Sequence, residues 1–124
     1  MRLNRTCGGI AFYYLCQYSK CDIDMLETID DLFSKEESSF EDFFNWASII
    51  GQKSECLGGV FESGYEPFIA HISILDFSHF VMVYKYNWLV CFIDVNSKKY
   101  YLPKCLFDIG YTGQLFRFLN GEKS

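Results

Sequence analysis

The chain has 124 residues, half of them apolar and 19% aromatic, with a formal net charge of −5. That is enough for one domain with a real core and too little for two. Its acidic balance, without any Lys/Arg cluster, argues against nucleic acid as a partner; no apolar run reaches the roughly 18–20 residues that span a bilayer, and the first residues lack the apolar segment of a signal peptide.

Residues 7–19 place Ala11, Tyr14, Leu15 and Tyr18 at helical spacing, with Thr6 as N-cap. The opposite positions, Ile10, Phe12, Tyr13 and Cys16, are nearly as apolar. A helix apolar all round predicts a buried central helix. Asp24 with Glu27 makes a capping-box pattern that predicts a second helix, with Met25, Ile29, Leu32 and Phe33 on one face. Lys35, Glu36 and Glu37 read as a solvated loop. Ser39 is expected to cap a third helix carrying Phe40, Phe43, Phe44 and Ala47, which Gly51 ends.

From there the pattern changes. Gln52–Leu57 and Phe68–Ile72 read as strands, the latter introduced by Pro67. Ser78 to Asp94 reads as a β-hairpin rich in Val, Phe, Tyr and Ile, turning at Tyr86-Asn87. Lys98–Leu102 predicts another strand, Lys104–Phe107 a helical turn, and Gln114–Phe118 a last strand after a turn at Tyr111-Thr112-Gly113. Helices first and strands after predict an α+β domain, helices packed on an antiparallel sheet.

A two-residue turn at Tyr86-Asn87 would set Lys85 against Trp88, Val83 against Val90, Val81 against Phe92 and His79 against Asp94. Directly opposed Cβ atoms lie roughly 4.5–5.5 Å apart. His79 and Asp94 would thus meet at the open end of an apolar ladder. A carboxylate there fixes the imidazole tautomer and favours its charged form, which is how a catalytic base is oriented. His71, inside an apolar strand, reads as a hydrogen-bonded core histidine.

Cys7 is the matching nucleophile. A helix N-terminus carries partial positive charge and unpaired N–H groups, and both favour a thiolate. Gly8 and Gly9 cost on the order of 1 kcal/mol each in helix propensity against Ala, but leave the sulfur and its N–H unhindered. The remaining cysteines form neither a dense disulfide framework nor a C-x-x-C pair, so free thiols in a reducing compartment are expected and a zinc site is not. The order Cys…His…Asp is that of papain-like cysteine peptidases.

Six segments then resemble one family in order. They are Thr6-Cys-Gly-Gly-Ile-Ala11, Ser38-Ser39-Phe40 with its helix to Gly51, Glu66-Pro-Phe-Ile-Ala-His71, Ser78-His-Phe-Val-Met-Val83, Ile93-Asp94-Val95 and Tyr111-Thr-Gly113. Together they are similar to the bacteriocin-processing peptidase domains of peptide-exporting ABC transporters, which remove double-glycine leader peptides. The resemblance implies a half-papain fold over residues 1–124, with a helical half at about 6–51 and a sheet half at about 52–119. It implies Cys7 as nucleophile, His79 as base, Asp94 as orienter, and no cofactor or metal. The substrate would be a precursor peptide whose amphipathic leader helix lies in an apolar groove, with Phe40 and Phe44 as candidate contacts. Cleavage would follow a Gly-Gly or Gly-Ala pair.

Further partners implied are the transmembrane and ATPase domains of an exporter, in the same chain or separate, at the cytoplasmic face of the bacterial inner membrane. The chain ends where the family's membrane part would begin. Two positions depart from the family. Its oxyanion-donating glutamine corresponds to Met1, which leaves the Cys7 backbone N–H and Asn4 as candidate donors, and its Asp before the cysteine is Thr6. Some members of the family bind cargo without cutting it, and that is the alternative reading.

Overall fold

The computed structural model describes residues 7–21, 23–29, 39–75, 77–94 and 96–119. Helix α1 spans Cys7–Tyr18, a 3-10 helix Ile23–Thr28, and α2 Phe40–Ile49. Strands β1 (Ser54–Leu57), β2 (Phe68–Ile74), β3 (Phe77–Tyr86), β4 (Leu89–Ile93) and β5 (Lys99–Pro103) follow, then α3 (Lys104–Gly110) and β6 (Tyr111–Phe118). The strands form one antiparallel sheet in the order β1-β6-β2-β3-β4-β5. Helices and antiparallel sheet are therefore arranged as the α+β reading expected.

The sheet is covered on both faces, and alternation along β3 shows how. Phe80 and Met82 join the cluster under α1 and α2, whereas Val81 and Val83 join the cluster on the other side with Phe107 of α3. On the helical side Phe43 is fully buried, with ring centroids 4.9 Å from Phe80, 5.4 Å from Phe116 and 5.7 Å from Trp46. Each such ring contributes roughly 1.5–3 kcal/mol by burial. On the other side Tyr86 is buried with its hydroxyl satisfied. It donates to Asp108 Oδ1 at 2.7 Å, and Lys104 Nζ donates to Asp108 Oδ2 at 2.9 Å. This network anchors α3 beneath the sheet, and sequence spacing did not foresee it.

The cap of α2 forms as expected. Ser39 Oγ accepts from the Asp42 N–H while Asp42 Oδ2 accepts from the Ser39 N–H at 2.9 Å, and Gly51 takes the left-handed conformation (φ 74°) past the helix end. Other expectations need correction. Helix α1 is not buried all round: Gln17 and Tyr18 are exposed, because it packs on one face of the sheet rather than between two layers. The segment around Asp24 is a 3-10 turn with Leu26 buried in it and Ile29 buried just past its end. Lys104–Gly110 is longer than the single turn expected, and Tyr111-Thr112-Gly113 belongs to β6 itself. Gly113 sits there at φ 86°, and a Cβ would meet the Phe61 ring at 2.8 Å. Thr6, Leu32, Phe33 and the run Lys35–Glu37 lie outside the described residues.

The hairpin register also differs. Val83 pairs with Phe92 and Met82 with Ile93, whereas Lys85 pairs with Cys91 and Tyr86 with Val90. The turn holds Asn87, Trp88 and Leu89 between the last paired residues, closed by the Leu89 N–H donating to Asn87 Oδ1 at 3.1 Å. This is an Asx-type turn. A bulge between Val83 and Lys85 takes back one residue. Phe92 thus faces Val83 rather than Val81. A slip of two keeps every β4 side chain on its expected face.

Candidate active site

That parity keeps His79 and Asp94 together. Continued past Ile93, the register sets Asp94 opposite Val81, so His79 reaches it on the diagonal, a separation long side chains can bridge. His79 Nε2 lies 3.1 Å from Asp94 Oδ1, with the two side chains 13% and 26% exposed. Asp94 heads the turn from β4 to β5: its carbonyl accepts from the Ser97 N–H at 2.8 Å and its N–H donates to the Lys98 carbonyl at 3.2 Å. The carboxylate is therefore held at a fixed place on the strand end.

A carboxylate on Nε2 favours the tautomer with its proton there and leaves the Nδ1 lone pair basic. Nδ1 of His79 is buried. Burial is also the main cause that holds the His79 pKa below its ordinary value; Asp94 opposes the shift and the neighbouring His71 adds to it. The charged form favoured by sequence reasoning is thus overridden by desolvation, and a neutral imidazole can act as a base.

His71 is engaged at both ring nitrogens. Nε2 is 2.8 Å from Ser78 Oγ and Nδ1 is 3.3 Å from Thr112 Oγ1. Thr112 Oγ1 donates to the His71 carbonyl and accepts from the Gln114 N–H. Its one proton being used, His71 Nδ1–H must donate to it, and Nε2 accepts from Ser78. The ring packs against Phe40 at 6.2 Å and Phe80 at 5.3 Å. His71 is a strut tying β2 to β6, and burial lowers its pKa as well.

Both histidines carry a stability consequence. With folded pKa values below the unfolded value of about 6.5, their contribution is complete above that pH and lost as pH falls through the folded values. The urea midpoint should be level between pH 7 and 8 and fall below about pH 6.5, with a shallower fall in His71→Gln. A flat profile from pH 7 to 5 in a urea titration series would contradict the burial of these rings.

Helix α1 begins at Cys7 and packs chiefly across β3, the strand that carries His79. The Cys7 side chain and Asn4 lie outside the described residues. Phe40 braces His71, while Phe44 is 39% exposed with its ring against Phe116 at 5.5 Å. A cavity of about 530 Å³, lined by Tyr14, Tyr18, Lys20, Ile93 and Lys99 among others, opens between the far half of α1 and the β4–β5 turn. No group of three potential metal ligands occurs among the described residues, and no described helix is long and apolar enough to cross a membrane.

No protein-family model matches the sequence, and no curated protein matches it. Solved structures do. The peptidase domain of Streptococcus ComA, a bi-functional ABC transporter involved in a quorum sensing pathway, superposes with a TM-score of 0.72 at 18% identity, over 92% of this chain and 90% of that one. A double glycine motif protease from an AMS/PCAT transporter, solved in complex with its leader peptide, superposes with a TM-score of 0.71 at 20% identity, over 90% and 82%. The fold is theirs. It is the papain-like arrangement of a helical layer on an antiparallel sheet, over nearly the whole chain.

Proposed function

We propose that the chain is a cysteine peptidase that removes double-glycine-type leader peptides from precursors exported by an ABC transporter. The observation that carries this reading is the His79–Asp94 contact at 3.1 Å within the fold of such peptidase domains. Cys7 at the N-terminus of α1 is the nucleophile. His79 takes its proton at Nδ1 while Nε2–H stays on Asp94, and the thiolate attacks the carbonyl of the second glycine. The oxyanion is received by the Cys7 backbone N–H. His79 then protonates the leaving amine, and water assisted by the same imidazole releases the leader from the thioester. Phe44, exposed beside the sheet, is the better placed of the two aromatics to meet an apolar leader helix.

Incubation with precursor peptides carrying Gly-Gly or Gly-Ala junctions, read by mass spectrometry, tests this. Cleavage after the second small residue is expected from the native chain and none from Cys7→Ala. Leader binding without any cleavage would assign the chain to the non-cleaving kind of peptide-binding domain.

A further inference from the structure

At the far end of the nucleophile helix lies a pair of cysteines the proposed mechanism does not use. Helix α1 closes in a Schellman motif: the Cys21 N–H donates to the Cys16 carbonyl at 2.9 Å, the Lys20 N–H donates to the Gln17 carbonyl at 3.2 Å, and Lys20 takes φ 63°. In that motif the residues joined by the outer bond are brought side against side. Here both are cysteines, and each thiol lies near enough to shift the pKa of the other. A disulfide requires Cα atoms about 4.4–6.8 Å apart with Cβ vectors converging, and the 2.9 Å bond from the Cys21 N–H to the Cys16 carbonyl holds the two backbones close.

The two thiols differ in setting. Cys16 is fully buried, whereas Cys21 is half-buried, and its Sγ donates to Gln52 Oε1 at 3.4 Å. Gln52 belongs to the corresponding cap of α2, where its N–H donates to the Ala47 carbonyl at 2.8 Å. The pair therefore sits where the C-terminal ends of the two helices meet.

We propose that Cys16 and Cys21 form a redox modification site, oxidised to an intramolecular disulfide by two-electron oxidants of the peroxide class. The inference is independent of the peptidase reading. The Cys21 thiolate attacks a peroxide oxygen; the S–O bond forms, the O–O bond breaks, and hydroxide leaves to be protonated to water. The Cys16 sulfur then attacks the sulfenic sulfur; the S–S bond forms, the S–O bond breaks, and the Cys16 proton leaves with hydroxide as a second water. Two thiols lose two electrons and one hydrogen peroxide gains them. The neighbouring Cys16 thiol lowers the Cys21 pKa, while Cys21 and burial raise that of Cys16, which fits the first as attacking and the second as resolving cysteine. By contrast burial pushes Cys56 up to about 11.

The test is hydrogen peroxide treatment of the purified chain, alkylation without reduction, trypsin digestion and mass spectrometry. Trypsin cuts after Lys20, so the two cysteines fall in different peptides, and fragment ions distinguish Cys16 from Cys7. The expected product is the Cys16–Cys21 cross-link, lighter by two hydrogens and cleaved by dithiothreitol. Cys21→Ser, which leaves the buried partner in place, should keep Cys16 fully alkylatable after denaturation. Cross-links between other cysteines, or Cys16 free while Cys21 ends as sulfinic acid, would overturn the proposal.

Discussion

His79→Ala is expected to lower kcat for leader cleavage by about 10²–10⁴, the usual contribution of a positioned general base. Asp94→Ala should cost less than that, and Asp94→Asn less again. An amide at position 94 still offers an oxygen to Nε2–H, which sits 3.1 Å from Asp94 Oδ1, and so keeps the base tautomer while losing only the charge. His71→Gln should affect stability more than turnover, because its two ring hydrogen bonds connect to Ser78 and Thr112 rather than to Asp94. Steady-state kinetics with urea titrations of the four variants distinguish these outcomes. Loss of turnover in His71→Gln with His79→Ala still active would move the base to the other histidine.

Met1→Gln, made with an added initiator methionine, is expected to raise kcat by about 10²–10³, the worth of one oxyanion donor. The resemblance to double-glycine peptidases aligns their oxyanion glutamine with Met1, whose thioether donates no proton. With the Cys7 N–H as the proposed donor, native cleavage should be slow but measurable, and Asn4→Ala should slow it further. KM should change little in either variant, since the developing oxyanion exists only in the transition state. An unchanged kcat in Met1→Gln would mean that the second donor comes from elsewhere.

Fold class was legible because its signals are local. Ser39 with Asp42, Gly51, and the alternation of the long hairpin each act within a few residues. The pairing of His79 with Asp94 was legible despite a wrong turn, since the Asx turn at Asn87 and the bulge before Lys85 together slip the strands by an even number. An odd slip would have sent Asp94 to the opposite face. The supports of the site were not legible. His71 depends on Thr112, 41 residues away, and Tyr86 on Asp108, 22 away; the first follows from β6 lying beside β2 and the second from α3 packing on the sheet, and no periodicity encodes either. The balance of charge on His79 was missed for a similar reason: burial by the sheet outweighs a carboxylate that the sequence makes visible. The Cys16–Cys21 contact depends on Lys20 adopting a left-handed cap that glycine would usually signal.

The proposed peptidase requires Cys7 as the nucleophile served by His79. A leader peptide ending in Gly-Gly chloromethyl ketone, incubated with the native chain and mapped by mass spectrometry, measures this most directly. One adduct is expected, on Cys7, formed much more slowly in His79→Ala and unaffected by Cys21→Ser. An adduct confined to Cys21, Cys56 or Cys105, or labelling of Cys7 at the same rate without His79, would contradict it.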